Sequence, residues 1–197
     1  MKKSNLRKIF FIASLIIIIF SALLYIKGNH YWYYQAVVGV WLFFDYLSYL
    51  RKNKTIFGLL INKEYKKFFK IYLGLFVLGA LIEIVGRIMA KFWIYPLQNP
   101  LIMNIITFLF YPFILMSFVE SYNLIYSLTK NKIVSTLLSM LIGIIIWEIP
   151  NIYSQDWVYQ IPYINLEIFN LNIVVVIGWI FLILGPLYVY KQLNRKL

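Results

Sequence analysis

Six apolar stretches occupy most of this chain of 197 residues. Each is long enough to cross a ~30 Å hydrocarbon core as an α-helix, because a helix rises about 1.5 Å per residue. They cover residues 9–26, 31–50, 68–89, 101–128, 133–150 and 169–190. The connections between them leave no room for a soluble domain. We therefore predict an all-α polytopic membrane protein with six transmembrane helices in one domain, residues 1–197.

The composition agrees with this prediction, since 62% of the residues are hydrophobic, 13% are charged and the mean hydropathy is +0.78. Such values lie outside the range of soluble proteins. The first stretch follows a basic N-terminus and resembles a signal peptide. It lacks a small-x-small cleavage site before the next stretch, so we expect it to remain as the first helix.

The net charge of +12 is distributed unevenly along the chain. Sixteen of the nineteen Lys and Arg residues fall in the two tails, in the 51–70 connection and in the 130–132 turn, and the other three are Lys27, Arg87 and Lys91. This asymmetry predicts a multi-pass protein of the cell membrane with both termini in the cytoplasm. Such short basic loops suit anionic lipid headgroups of the bilayer, and no nucleic acid partner is expected.

One unusual pattern occurs twice. Residues 83–96 read EIVGRIMAKFWIYP and residues 148–162 read EIPNIYSQDWVYQIP. Both begin with a glutamate late in an outward-running helix, so the predicted topology places the two carboxylates at one depth. Trp32-Tyr33-Tyr34 is a poorer third copy without the glutamate. Repeated helical hairpins at 9–50, 68–128 and 133–190 would account for the pattern.

The two glutamates are the first candidates for function, because an ionised carboxylate in hydrocarbon costs at least ~2.5 kcal/mol and is rarely kept without a partner or a task. Arg87 lies four residues after Glu83 and is a candidate ion-pair partner on the same helical face. Glu148 has no basic residue within a turn, and Asn151 is a nearby hydrogen-bond donor. Burial is expected to favour the protonated form of Glu148, as a proton donor requires.

Three other acidic residues and the single histidine are less informative. Glu120 is expected to face either a neighbouring helix or the same cavity as the repeated glutamates. Asp45 lies near Arg51 and is expected to be a satisfied group at the interface. Asp156 and His30 fall in outer connections, where we expect both to be solvated.

The sequence contains no Gly-rich phosphate loop, no His-x-x-x-His pair and no cysteine. We therefore predict no cofactor and no metal. Carboxylic acids and aromatic rings remain, and they suit either acid-initiated chemistry on an isoprenoid double bond or the binding of a small cationic or amphipathic ligand. The Trp-x-Tyr elements have a simpler explanation as well, because Trp and Tyr collect at membrane interfaces.

The first copy of the pattern resembles the repeat unit of the membrane lycopene cyclases and related carotenoid-modifying proteins. Its residues are Glu83, Arg87, Trp93, Tyr95 and Pro96. The second copy, with Glu148, Asn151, Trp157, Tyr159, Pro162 and the following 177–179, is similar to the membrane carotenoid hydratase relatives. That family carries Pro-x-Glu-Glu after its Trp-x-Tyr, whereas residues 99–103 read NPLIM here and residues 165–168 offer Glu167 alone.

The resemblance implies a cavity for an isoprenoid or another lipid, and an enzyme of carotenoid biosynthesis that catalyses cyclisation, hydration or isomerisation. We predict Glu148 as proton donor and Glu83, held by Arg87, as the second carboxylate. The predicted substrate-binding residues are Arg87, Trp93, Tyr95, Glu120, Asn151, Trp157 and Tyr159. Two alternatives remain, a small-molecule-binding subunit that works with transporter partner subunits and a non-catalytic membrane protein that only forms homo-oligomers or senses a signal.

Overall fold

The chain forms eight α-helices and two short strand pairs within residues 3–162, 164, 166–168 and 171–195, the part that the computed structural model describes. The helices are α1 Lys3–Ile26, α2 Trp32–Leu50, α3 Ile56–Ile61, α4 Tyr65–Ile82, α5 Pro100–Thr129, α6 Lys132–Gly143, α7 Ile149–Ser154 and α8 Ile173–Arg195. The strands are β1 Trp93–Ile94, β2 Val158–Tyr159, β3 Glu167–Ile168 and β4 Leu171–Asn172. The predicted all-α class is confirmed. The first two residues of the predicted sixth stretch, 169 and 170, lie outside the described residues.

Five helical stretches of the described residues are long and apolar enough to cross a membrane, which indicates a membrane protein. They are Lys3–Ile26, Tyr65–Met89, Pro100–Thr129, Lys132–Ser154 and Ile173–Asn194. The predicted span at 31–50 forms α2 but is not among them, so six spans are not confirmed. Gln35, Asp45 and several tyrosines lower the hydropathy of α2. Most of its side chains are buried, and it packs mainly against α1 and α5.

The doubled pattern folds as two similar units that pair with each other. α4 and α6 both continue as π-helical segments, Glu83–Met89 and Ile144–Glu148. Each unit then leads to a short strand, and β1 pairs with β2 in antiparallel fashion with Trp93 opposite Tyr159. We call this strand pair the roof. The third copy differs, because Trp32-Tyr33-Tyr34 forms the first turn of α2 rather than a strand.

Asp45 is satisfied by different partners from the one that the sequence suggested. It pairs with Arg7 of α1 at 3.3 Å and accepts the backbone N–H of Phe57 at 2.8 Å, while Arg51 is exposed. Arg51 is close to Asp45 along the chain, but the fold packs α1 against α2 and places the Arg7 guanidinium beside the carboxylate. Asp45 therefore ties α1, α2 and α3 together at the end of the bundle opposite the roof.

Asp156 and His30 are not both solvated, contrary to expectation. Asp156 is fully buried and accepts hydrogen bonds from Trp32 Nε1 at 2.6 Å and from Ser154 Oγ at 2.6 Å. The His30 ring nitrogen Nδ1 lies 2.7 Å from its other oxygen. Because His30 lies in the α1–α2 turn and Trp32 begins α2, Asp156 fastens that turn and the start of α2 to the segment that leads into β2.

Candidate functional site

Glu83 and Glu148 line one cavity of about 470 Å³ beneath the roof. The π-helical segments that continue α4 and α6 supply the two carboxylates, α5 forms the back wall and α8 supplies a further side. Both glutamates are almost fully buried, at 1% and 2% exposure. The cavity wall includes Tyr33, Leu78, Trp93, Tyr95, Tyr111, Phe118, Trp147, Trp157, Tyr159, Gly178, Trp179, Phe181, Leu182 and Gly185.

The Glu148 carboxylate is surrounded by aromatic hydrogen-bond donors. Its Oε1 accepts from the Tyr159 hydroxyl at 2.7 Å and from Trp179 Nε1 at 3.1 Å. Its Oε2 has one longer contact, 3.4 Å from Trp157 Nε1. Among the described residues, none forms an ion pair with Glu148. Two good donors thus make Oε1 the carbonyl-like oxygen, and Oε2 is the oxygen better placed to carry a proton.

Glu83 has the cationic partner that Glu148 lacks. Arg87 Nε donates to Glu83 Oε2 at 2.7 Å, as the spacing of four residues suggested, and the Tyr95 hydroxyl donates to Oε1 at 3.1 Å. Arg87 also donates through Nη2 to Asn104 Oδ1 on α5 at 2.7 Å. The pair with Arg87 stabilises the ionised form of Glu83. Glu148 has no such cation among the described residues.

Each glutamate accepts a hydrogen bond from one tyrosine hydroxyl at the roof. Tyr95, directly after β1, donates to Glu83, and Tyr159 of β2 donates to Glu148. Burial raises the pKa of both phenols well above the ordinary value. Both hydroxyl groups therefore keep their protons at neutral pH and remain available as hydrogen-bond donors to a carboxylate.

Most of the tryptophan side chains line the cavity rather than an exposed belt. All six tryptophans lie in the described part of the chain, and none of them is exposed. Four of them line the cavity, at positions 93, 147, 157 and 179. An interfacial belt would leave such rings at the lipid surface, so this arrangement favours a role for the rings in a site.

Two glycines allow the tryptophan rings to lie against the helices that carry the glutamates. A Cβ atom at Gly86 would overlap the Trp93 ring, and a Cβ atom at Gly143 would overlap the Trp179 ring. Both glycines lie within or directly before a π-helical segment. Such segments are frequent at functional sites because the extra residue in the turn redirects the side chains that follow.

The other predicted site residues lie around the cavity rather than on its wall. Arg87 stands behind Glu83, and Asn151 brackets the backbone of Trp157, accepting its N–H at 3.0 Å and donating to its carbonyl at 2.8 Å. Glu120 faces a helix neighbour at the end opposite the roof, where its Oε1 accepts the N–H of Ile56 at 2.7 Å. Arg87 and Asn151 thus contact residues of the cavity wall, whereas Glu120 lies away from it, and contact of these three residues with a substrate stays a prediction.

Sequence reasoning missed several cavity residues. Trp179 donates to Glu148 from 31 residues further along the chain; it appeared in the sequence only as the end of Ile177-Gly178-Trp179. Trp147 and Tyr111 lie inside apolar helices, where one more aromatic residue gives no signal. Asn104, the partner of Arg87, was detectable as an amide inside an apolar stretch.

Comparison of the chain with protein-family models, with curated proteins and with solved structures finds no match. The geometry and chemistry of this cavity are therefore the evidence for its function.

Proposed function

We propose that this protein is an isoprenoid-modifying enzyme of the cell membrane, of the lycopene cyclase-like type, that carries out acid–base chemistry inside the roofed cavity. In this proposal α2 also crosses the membrane, which makes six spans with the five apolar ones, and both termini face the cytoplasm. The basic 51–70 connection supports that orientation. The observation that carries the proposal is the placement of both repeated glutamates on the wall of one apolar, aromatic cavity.

Glu148 is the proton donor in this scheme. Its carboxyl group passes a proton from Oε2 to a carbon of an isoprenoid double bond, which leaves a carbocation on the neighbouring carbon. The carboxylate that results is stabilised at once by the N–H and O–H groups of Trp179, Trp157 and Tyr159. Donors that are already oriented toward developing charge need no reorganisation during the reaction.

The carbocation is stabilised by the faces of the cavity rings, since aromatic faces attract cations. A second double bond of the same chain attacks the cation and closes a ring, or a water molecule adds to it. Glu83, ionised beside Arg87, then accepts the proton that leaves carbon or water. One proton is donated and one is removed, so the product is an isomer or a hydrate. Exchange of the carboxyl protons with water then restores Glu148 as the acid and Glu83 as the base.

A lipid substrate suits the access to the cavity. Phe181 lines the cavity, and its side chain is 70% exposed. The cavity therefore reaches the face of the protein that lipid would contact. This feature favours a ligand from the bilayer over a soluble ligand captured by a transporter subunit.

Native mass spectrometry with lipid extraction tests the proposal. Gently purified wild-type protein and Glu148→Gln are compared after expression in membranes that contain an acyclic isoprenoid, with Glu64→Gln at an exposed position as the matched control. We expect a bound isoprenoid in all three, chemically altered in wild type and in Glu64→Gln but not in Glu148→Gln. A water-soluble ligand or a co-purifying partner subunit would contradict the proposal and support a transport function.

A further inference from the structure

Tyr111 on α5 lines the cavity, and its hydroxyl group has no hydrogen-bond partner among the described residues. The hydroxyl groups of the other wall tyrosines each make a hydrogen bond inside the protein; they are Tyr33, Tyr95 and Tyr159. In the described part of the chain, the polar side-chain atoms enclosed without a partner are Trp41 Nε1, Glu120 Oε2 and Ser139 Oγ. The Tyr111 hydroxyl is not among these enclosed atoms, so it is accessible to a ligand in the cavity.

Close packing holds the Tyr111 ring against α4. A Cβ atom at Gly79 would lie only 2.7 Å from Tyr111 Cδ1 and 3.0 Å from its Cβ, so the glycine lets the ring rest on the helix backbone. Gly79 precedes Glu83 by four residues, which places both on one face of the helix. Among the described charged side chains, Glu83 is the one close enough to act on the Tyr111 phenol. The ring is therefore fixed beside one of the two carboxylates.

The Tyr111 hydroxyl also lies near the two tyrosines of the roof. Burial contributes most to the raised pKa of Tyr95 and of Tyr159, and the Tyr111 phenol adds to the rise at each. These two tyrosines donate to the two glutamates of the cavity. A ligand atom bound by Tyr111 therefore lies at the reactive end of the cavity.

An unpaired phenol in a largely aromatic cavity constrains the chemistry of the ligand. Such a group has given up its hydrogen bond to water and needs an acceptor in exchange. A hydrocarbon has no atom that accepts a hydrogen bond, whereas the oxygen of an alcohol, an ether or a ketone accepts one. Sites built to hydrogen-bond a ligand discriminate strongly against analogues that lack the partner group.

We infer that the ligand carries an oxygen atom near its reacting end and that Tyr111 binds this oxygen as a hydrogen-bond donor. The substrate class is then an oxygen-bearing isoprenoid rather than a pure hydrocarbon. This inference rests on the proposed function for the isoprenoid skeleton. Tyr111 is a ligand-binding residue in this role, and it sets the position of the ligand relative to both carboxyl groups.

Binding of two saturated isoprenoids with the same carbon skeleton tests the inference, the alcohol hexahydrofarnesol and the hydrocarbon farnesane. Neither has a double bond, so neither can be protonated by Glu148. Purified wild-type protein and Tyr111→Phe are loaded in detergent at matched mole fractions, and the retained ligand is extracted and quantified by gas chromatography. The ratio of variant to wild type cancels the preference of each ligand for the micelle. We expect Tyr111→Phe to weaken binding of the alcohol by about five- to tenfold, the loss of one hydrogen bond, and to change binding of the hydrocarbon by less than about twofold.

Tyr153→Phe removes the same hydroxyl group at a position that is 78% exposed and is the matched control, expected to bind both ligands as wild type does. The methyl ether of hexahydrofarnesol can accept but not donate a hydrogen bond, and Tyr111→Phe should weaken it as much as the alcohol. An unchanged ether would overturn the donor role of Tyr111. Equal losses of alcohol and hydrocarbon, or no loss of either, would overturn the inference and leave the acid–base proposal standing. Failure of every ligand to bind wild type would contradict the isoprenoid cavity itself, and the inference with it.

Discussion

The two glutamates of the doubled pattern differ in what surrounds their carboxylates. Glu83 has a cation, Arg87, and one tyrosine hydroxyl, whereas Glu148 has aromatic N–H and O–H donors alone among the described residues. A pair of carboxyl groups in unlike environments can be divided into one that holds a proton and one that accepts it. The assignment of donor and acceptor roles rests on this difference.

Substitution of Arg87 should reveal the free-energy cost of burying the Glu83 carboxylate without a cation. We expect Arg87→Met to lower the free energy of unfolding by about 3–5 kcal/mol, because it leaves a buried carboxylate without its cation. The double variant Arg87→Met with Glu83→Gln should recover most of that loss. Chemical denaturation in detergent measures all three proteins. An Arg87→Met protein as stable as wild type would show that Glu83 is not ionised.

At the residue scale the sequence predicted contacts that are local. The Glu83–Arg87 pair follows from a spacing of four residues on a helix. The partners Trp32 and His30 of Asp156 could not be predicted in this way, because they lie more than 120 residues earlier and meet it only after the helices have packed. The partner of Asp45 was mispredicted for the same reason.

At the scale of secondary-structure elements, the two π-helical segments and the roof contribute most to the candidate site. A π-helical turn has no sequence signature of its own, so the apolar pattern predicted continuous α-helices there. The repeated Trp-x-Tyr predicted that the two segments lie at one depth but not that they pair as strands. Close packing of glycine against tryptophan fixes both segments in the fold.

Substitutions at these glycines test the packing of the segments. We expect Gly86→Ala and Gly143→Ala each to lower the free energy of unfolding by about 1–3 kcal/mol, because the new methyl group overlaps a tryptophan ring. Gly178→Ala is the matched control in open space and should be neutral or stabilising, since alanine favours a helix over glycine. Thermal unfolding in detergent distinguishes the outcomes, and an unaffected Gly86→Ala would contradict the described packing.

The contacts of Asp156 with His30, Trp32 and Ser154 are a second link between elements, because they join the start of α2 to the segment before β2. We expect Asp156→Ala to cost about 1–3 kcal/mol, because the buried Trp32 N–H loses its acceptor. Glu64→Ala, at a partly exposed position, is the control and should change stability by less than about 0.5 kcal/mol. Equal stability of the two variants would show that Asp156 does not hold the α1–α2 turn.

At the scale of the whole molecule, the membrane topology depends on whether α2 crosses the bilayer and on which side the termini lie. The helix is enclosed by α1 and α5, which would allow a segment with Gln35 and Asp45 to lie at membrane depth, as we propose. The apolar stretches predicted the other helices well, because hydrocarbon demands long apolar helices. Relative rotation and the shape of the cavity depend on side-chain packing, which the pattern of apolar residues does not encode.

The absence of native cysteine makes topology simple to measure. We expect Lys27→Cys, in the α1–α2 turn, to react with a membrane-impermeant maleimide added outside intact cells. Lys52→Cys, after α2, should react only when the cells are opened. Labelling of both positions from one side would show that α2 does not cross the membrane.

Incorporation of deuterium tests the account most directly. Membranes that contain an acyclic isoprenoid are incubated in D₂O with wild-type protein, Glu148→Gln or Glu64→Gln, and the extracted lipid is analysed by mass spectrometry and NMR. If Glu148 delivers a proton to carbon, wild type and Glu64→Gln should place one deuterium in each product molecule, and Glu148→Gln should form no labelled product. Product without carbon-bound deuterium, or labelling that persists in Glu148→Gln, would contradict proton transfer from Glu148.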